Sequence, residues 1–261
     1  MKVVTSRDNP AFKDLRDLAR DARRQKREAR ALLDGPHLVA AALDHGLNPD
    51  LVVVSESAAT LPEVVALLAR VPGVTMLNLR DALFREISEL ATPLGILARI
   101  PIPVVPAAMP ERDCLLLDAV QDAGNVGTLL RTAAAAGVRD VLLGPGCAGA
   151  WTPRVLRAAQ GAHFVLTIRE QVDLAAFLKQ YPGMPVATVA REGRSFYDLD
   201  LTQPTAWLFG NEGAGLAPEL VQLARQRATI PLAPGNESLN VAAAAAVCLF
   251  EMRRQRAART I

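Results

Sequence analysis

Aromatic side chains make up only 4% of this 261-residue chain, with two Trp and two Tyr. Trp151 and Trp207 accordingly read as packing or interface residues rather than as a platform on which bases stack. Cysteine is also scarce. Cys114, Cys147 and Cys248 are far apart, odd in number and in two cases set inside apolar runs, which excludes a disulfide framework and a CxxC zinc knuckle. His37, His45 and His163 are isolated, so no metal-ligand set is visible. No apolar run approaches bilayer length, and the first residues carry charge where a secretory signal would be apolar, so a cytoplasmic protein is expected. An excess of one charge is missing too: 29 Lys and Arg stand against 27 Asp and Glu, and a net charge of +2 gives no support by itself for a polyanionic partner.

What is present is a globular composition, 51% hydrophobic and 21% charged, over a length that accommodates one large or two ordinary domains. Charge is unevenly spread. Residues 1–30 hold ten Lys or Arg, Lys2 among them, against five Asp or Glu, and Arg253, Arg254, Arg256 and Arg259 crowd the other end. Basic ends suit RNA; a solvated helical face explains them equally well.

Asn9-Pro10 followed by Phe12, Leu15, Leu18 and Ala22 at helical spacing predicts a basic amphipathic helix, with a shorter apolar helix after Gly35-Pro36. Strands are expected in DLVVVSE and GVTMLNL, each followed by a helix, which describes a small α/β layer domain. Four prolines between residues 101 and 110 break regular structure, and the domain boundary is placed there, giving domains 1–105 and 111–261. Beyond it, short continuous apolar strands alternate with helices, the mark of a parallel sheet covered on both faces; the last strand is expected to end near Ala233 and the last helix, from about 239, to be buried on nearly all sides.

Ligands of open α/β sheets sit beyond the carboxyl ends of strands, and three loops there are unusual. In DAVQDAGNVGTLLRTA, Gly124 and Gly127 flank Asn125, and a helix starting near Gly127 would offer free N–H groups to an anion, with Arg131 one turn further on. The glycines equally suit a plain turn. A dinucleotide fingerprint is incomplete there, since GxGxxG and the acidic residue of the next strand are missing. In LFGNEGAGL, Asn211 and Glu212 sit among Gly210, Gly213 and Gly215. In IPLAPGNESLNVAAAAA, a polar cluster with Ser238 and Asn240, both good N-cap types, precedes a very apolar helix.

In order and spacing these loops resemble the three motifs of the SpoU (TrmH) family of RNA ribose 2′-O-methyltransferases, within the SPOUT superfamily, over residues 113–256. SRDNPAFKDLRDLARDARRQKREARALLDGPHLVAAAL and TPLGILARI are similar to the N-terminal substrate-binding domain of many members, which looks like RNA-binding ribosomal proteins. The resemblance implies an α/β fold with a SPOUT-type parallel sheet and a C-terminal trefoil knot, a homodimer, no metal, and transfer of methyl from S-adenosyl-L-methionine to RNA. It implies Asn125, Arg131, Glu212, Ser238 and Asn240 as catalytic residues. Leu208, Gly210, Asn211, Gly213, Ile230, Leu232, Ser238 and Leu239 would hold the cofactor, with the glycines letting backbone approach it. Arg131 would carry the chemistry; because arginine stays protonated with a pKa above about 12, steadying the developing alkoxide and gripping phosphate suits it better than acting as a base. Ala123 stands where the family often has Pro, Ala242 where it often has Ser, and Leu-Leu-Asp-Gly at 32–35 where Val-Glu-Gly is usual. Ribosomal RNA is the expected substrate. The alternatives are tRNA, or a non-catalytic RNA-binding or ribosome-assembly role.

Overall fold

The computed structural model describes residues 3–258, so Lys2 and Arg259 of the basic ends lie outside the described residues. Contacts divide the chain into two compact units: one runs to Val104 and also takes Trp151–Phe164, the other comprises Val105–Ala150 and the chain from Val165 onward.

The first unit holds strands β1 (Val3–Val4), β2 (Arg30–Asp34), β3 (Leu51–Ser55), β4 (Thr75–Leu79) and β5 (Ile96–Pro101) in the order β1-β4-β3-β5-β2. Neighbours among β1, β4 and β3 run parallel, while β5 is antiparallel to β3 and β2. Its helices are α1 (Pro10–Arg20), α2 (Ala22–Glu28), α3 (Pro36–Asp44), α4 (Pro62–Ala69) and α5 (Asp81–Ile87). Phe12, Leu15 and Leu18 of α1 and Leu83, Phe84 and Ile87 of α5 bury against Leu32, Val53, Leu79 and Leu97 of the sheet.

Three sequence expectations change here. The basic helix is two helices, because the Asp21 carboxylate accepts from Arg23 N and Arg24 N at 2.8 and 3.1 Å and starts a new helix where the old one would have continued. Arg30–Asp34, composed of helix formers, becomes a strand because pairing with β5 overrides propensity. Ile96–Pro101 is that partner rather than part of a structureless connection, with Pro101 at its last position.

The second unit is one sheet of parallel strands in the order β10-β12-β9-β11-β6-β7-β8: β6 (Cys114–Leu117), β7 (Asp140–Leu143), β8 (Thr167–Glu170), β9 (Met184–Thr188), β10 (Arg194–Ser195), β11 (Thr205–Phe209) and β12 (Gln226–Thr229). Strands β6, β7 and β11 are buried along their whole length, as the continuous apolar runs require. Helices α6 (Ala123–Ala136), α8 (Leu174–Gln180), α9 (Pro218–Leu223) and α10 (Val241–Ala257) belong to this unit. Helix α7 (Pro153–Ala159), which a linear division at 105 and 111 assigns to the second domain, packs on β2 of the first unit. The strand β8 begins later than HFVLTI suggests, after a 3-10 turn over Ala162–Val165, and β12 ends at Thr229 instead of near Ala233.

Helix α10 differs most from expectation. It buries Ala242, Ala245, Cys248, Leu249 and Met252 but leaves Val247 and Phe250 exposed, so an apolar face is open to solvent. It packs along α6, and its last turns are fixed by a bidentate pair: the Arg256 guanidinium donates to both oxygens of Asp113, to Gln203 O at 2.7 Å and to Leu201 O at 2.9 Å. Asp113 also accepts from Thr205 N at 2.9 Å. Asp113→Ala is expected to lower the stability of the full chain by about 2 kcal/mol, the scale of hydrogen bonds to charged groups, read by urea unfolding; a change within about 0.5 kcal/mol would mean that packing alone holds the helix.

Candidate functional site

Strands β6 and β11 are adjacent and parallel, and the loops at their carboxyl ends meet. The first loop turns directly into α6. Asp122 is its N-cap, accepting from Asn125 N at 2.7 Å, so the helix begins four residues before Gly127 and both glycines lie inside it. Two N–H groups at the entry to this helix, and one in its first turn, are claimed from within the chain. The Glu212 carboxylate of the second loop accepts from Gln121 N and Asp122 N, each at 3.3 Å, and from Asn125 Nδ2 at 2.9 Å. The anion at this helix start is therefore the protein's own Glu212.

Asn125 passes the connection on. Its Oδ1 accepts from Asn240 Nδ2 at 2.9 Å, and Asn240 Oδ1 caps α10 by accepting from Ala242 N and Ala243 N at 2.9 and 3.2 Å. Of the two candidate caps at the third loop, Asn240 is the one used. A single line of side chains, Glu212 to Asn125 to Asn240, joins all three loops. Burial alone would push the Glu212 carboxyl up; the Asn125 side chain and the backbone N–H groups of Glu212, Asp122 and Gln121 outweigh it and hold the group below the ordinary carboxylate range.

The second loop is shaped by its own backbone. Asn211 and Gly215 exchange N–H···O bonds at 3.0 and 2.9 Å, Asn211 Oδ1 accepts from Gly213 N and Ala214 N, and Asn211 Nδ2 donates to Ala119 O at 2.9 Å. A Cβ at Gly210 would lie 2.3 Å from the Gly215 carbonyl carbon and from Leu216 N, and Gly215 itself has φ +73°. The loop folding on itself is enough to require glycine at these two positions.

A cavity of about 560 Å³ opens between the second and third loops. Gly210, Asn211, Glu212, Gly213, Ile230, Leu232, Ser238, Leu239 and Asn240 line it, so most of the expected site residues share one wall. Leu208 is fully buried one step behind, and its carbonyl accepts from Thr188 Oγ1 at 2.7 Å. Asn125 stands behind Asn240. Arg131 is exposed on α6, on the stripe that also exposes Gly124 and Thr128 at i, i+4 and i+7 spacing, and among the described residues its guanidinium makes no hydrogen bond or ion pair.

Sequence reasoning missed a fourth loop. Thr188 at the end of β9 and Val189, Ala190 and Arg191 after it also line the cavity, as do Phe209, Glu237, Val241 and Ala244. The loop after β9 carries no glycine or polar cluster of its own before Arg191, and its place beside β11 becomes visible only from the strand order. Among the described residues no three His, Cys, Asp or Glu side chains gather into a metal site. No helix there is long and apolar enough to cross a membrane.

Residues 113–250 match the SpoU rRNA Methylase family, and residues 9–98 match the MRM3-like substrate binding domain. The chain is 33% identical over 262 residues to the 23S rRNA (guanosine(2553)-2'-O)-methyltransferase RlmP of Bacillus subtilis, covering 97% of this chain and 100% of that protein. It is 32% identical over 257 residues to an uncharacterized tRNA/rRNA methyltransferase of Synechocystis, covering 97% and 93%. The solved structure of the AdoMet-bound rRNA methyltransferase from Sinorhizobium meliloti aligns with TM-score 0.84 and 30% identity, covering 97% of both chains.

Two measurements test the geometry. Stability carried by the Glu212 carboxylate is complete above its ordinary pKa of 4.5 and is lost as the pH falls through the lowered folded value. The stability gap between wild type and Glu212→Gln in urea unfolding should therefore stay constant above about pH 6 and narrow below about pH 4.5; a gap independent of pH would remove the carboxylate from this role. Gly210→Ala is expected to cost at least about 2 kcal/mol by overpacking against rigid backbone, and a variant as stable as wild type would show that the loop relaxes freely.

Proposed function

The chain belongs to the SpoU rRNA methylase family, and from that premise we propose that it transfers a methyl group from S-adenosylmethionine to a ribose 2′-hydroxyl of ribosomal RNA. One observation carries the reading: the side-chain line Glu212–Asn125–Asn240 gathers the three loops around a single cavity and leaves Arg131 without an internal partner. The cavity suits the cofactor. Its volume lies in the range of small-molecule sites, roughly 300–1,000 Å³, and apolar walls from Val189, Phe209, Ile230, Leu232 and Val241 alternate with the polar groups of Asn211, Ser238 and Asn240. When bound, S-adenosylmethionine supplies an electrophilic methyl group on a sulfonium centre.

The residues divide by what holds them. Leu232, Leu239, Ile230, Gly213, Gly210 and Ser238 would hold the cofactor, with Asn211 shaping the turn that presents them and Leu208 backing it. Asn125, Glu212 and Asn240 are committed to one another and act as positioning residues. Arg131 is the group free to meet RNA. A guanidinium stabilises the negative charge that grows on the 2′-oxygen as it attacks, and grips a neighbouring phosphate through paired N–H donors. Alignment of the hydroxyl with the methyl group supplies much of the remaining acceleration.

The basic, exposed side chains of α2, Arg23, Lys26 and Arg27, support an RNA-holding role for the first unit. Homodimerisation belongs to the same reading and is supported by the open apolar face of α10 with Val247 and Phe250. Threading of the last helix through a loop as a trefoil knot is carried by family membership alone, and a cytoplasmic location by composition. Ribosomal RNA is preferred to tRNA, and catalysis to a purely structural role, because the named B. subtilis relative acts on 23S rRNA and the polar groups of all three loops are in place.

Arg131→Ala is expected to lower methyl transfer by at least about a thousandfold while changing S-adenosylmethionine binding by less than about twofold. The decisive assay is ribose-methylation mapping of total RNA from a strain lacking the protein, complemented with wild type or the variant. One 2′-O-methyl mark restored only by wild type is the expected result; full restoration by the variant would refute the role of Arg131.

A further inference from the structure

Charge in the cavity is distributed in a way that the transfer reaction does not use. Three ionisable side chains line it: Arg191, Glu212 and Glu237. The Glu212 carboxylate is filled by the N–H groups of Gln121, Asp122 and Asn125. Arg191, on the loop after β9, and Glu237, on the loop before α10, pair with each other, with Nη2 3.2 Å from Oε1. Their side chains are 75% and 85% exposed, so the pair adds little to folding and opens at little cost when another charge is offered.

The cofactor of the proposed reaction has one zwitterionic end, an α-ammonium and a carboxylate on the same carbon. Arg191 is the one cation in the cavity lining, and Glu237 the one carboxylate there without a set of fixed donors. An exposed Arg–Glu pair is the electrostatic complement of an amino-acid head group: each member can exchange its partner for the opposite charge of the ligand, and the guanidinium offers a bidentate fork to a carboxylate.

Resting on the cofactor reading above, we propose that Arg191 and Glu237 form a clamp for the amino-acid end of S-adenosylmethionine, Arg191 taking the carboxylate and Glu237 the ammonium. The two residues are thus specificity determinants, selecting the complete cofactor over adenosine compounds that lack the amino-acid chain. The clamp also draws together the loops after β9 and before α10, the two segments that carry it.

Calorimetric titration of the full-length protein separates the possibilities without measuring turnover. Ligands are S-adenosylhomocysteine, its decarboxylated analogue and 5′-methylthioadenosine, which lacks both charges; proteins are wild type, Arg191→Met and Glu237→Gln. Loss of one charge-assisted contact is expected to weaken S-adenosylhomocysteine about tenfold in each variant, with 5′-methylthioadenosine unchanged within about twofold. The decarboxylated analogue should be insensitive to Arg191→Met yet still weakened by Glu237→Gln. Equal losses for all three ligands would mean that the variants deform the cavity, and unchanged affinity for S-adenosylhomocysteine would reduce the pair to a surface ion pair; either result overturns the clamp while the cofactor reading stands. Failure of the wild-type protein to bind any of the three would overturn both.

Discussion

The hydrogen-bonded line from Glu212 through Asn125 to Asn240 is the interaction that joins the three loops at the cavity. Its members are 87 and 115 residues apart in sequence, so nothing local brings them together; the parallel sheet does, by setting β6 beside β11 and returning the chain through β12 to α10. Each member has a second duty that fixes its orientation. Glu212 also accepts from two backbone N–H groups at the entry to α6, Asn125 is itself held by the Asp122 cap, and Asn240 caps α10. A side chain with both ends engaged has few rotamers left, which is what a site needs to hold geometry.

The same line explains where charge is available. A helix start beside a glycine-bearing loop ordinarily invites an external anion, and here that place is taken by Glu212. The uncommitted cation Arg131 lies two turns further along α6, on the exposed stripe with Gly124 and Thr128, whose small side chains leave the guanidinium uncovered. A guanidinium on a flexible side chain has an orientation and reach that a fixed helix end lacks.

How far the sequence could be read depended on whether a signal was local. The strands β6, β7 and β11 announce themselves as apolar runs because both faces are covered, and the motif residues could be named because their types and spacing lie within single loops. Signals that depend on a distant partner were invisible. Arg30–Asp34 looks helical until β5 pairs with it, and Ile96–Pro101 looks like a proline-broken connection until β2 and β3 flank it; the break at Asp21, by contrast, is local, a side chain competing for backbone donors two and three residues on. The fourth wall of the cavity, Thr188–Arg191, follows from strand order alone. Composition misled once: a helix as apolar as Val241–Phe250 reads as buried all round, whereas Val247 and Phe250 remain open.

The site has a rigid part and a soft part, and the division is physical. The wall built by β11, the Asn211–Gly215 turn and the capped start of α10 is cross-linked by backbone and side-chain hydrogen bonds. Among the described residues the segment from Ala233 to Glu237 has almost none: Asn236 reaches back to Ala233 O at 3.3 and 3.4 Å, and the Glu237 side chain pairs with Arg191. Its residues are exposed throughout. Segments with few buried contacts and solvent-exposed hydrogen bonds open at low free energy, so the cavity is fixed where Asn240 caps α10, while the loop bearing Glu237 is free to adjust. Precision at one end of a cavity and compliance at the other is the arrangement expected where alignment sets the rate and entry of the ligand still requires an opening.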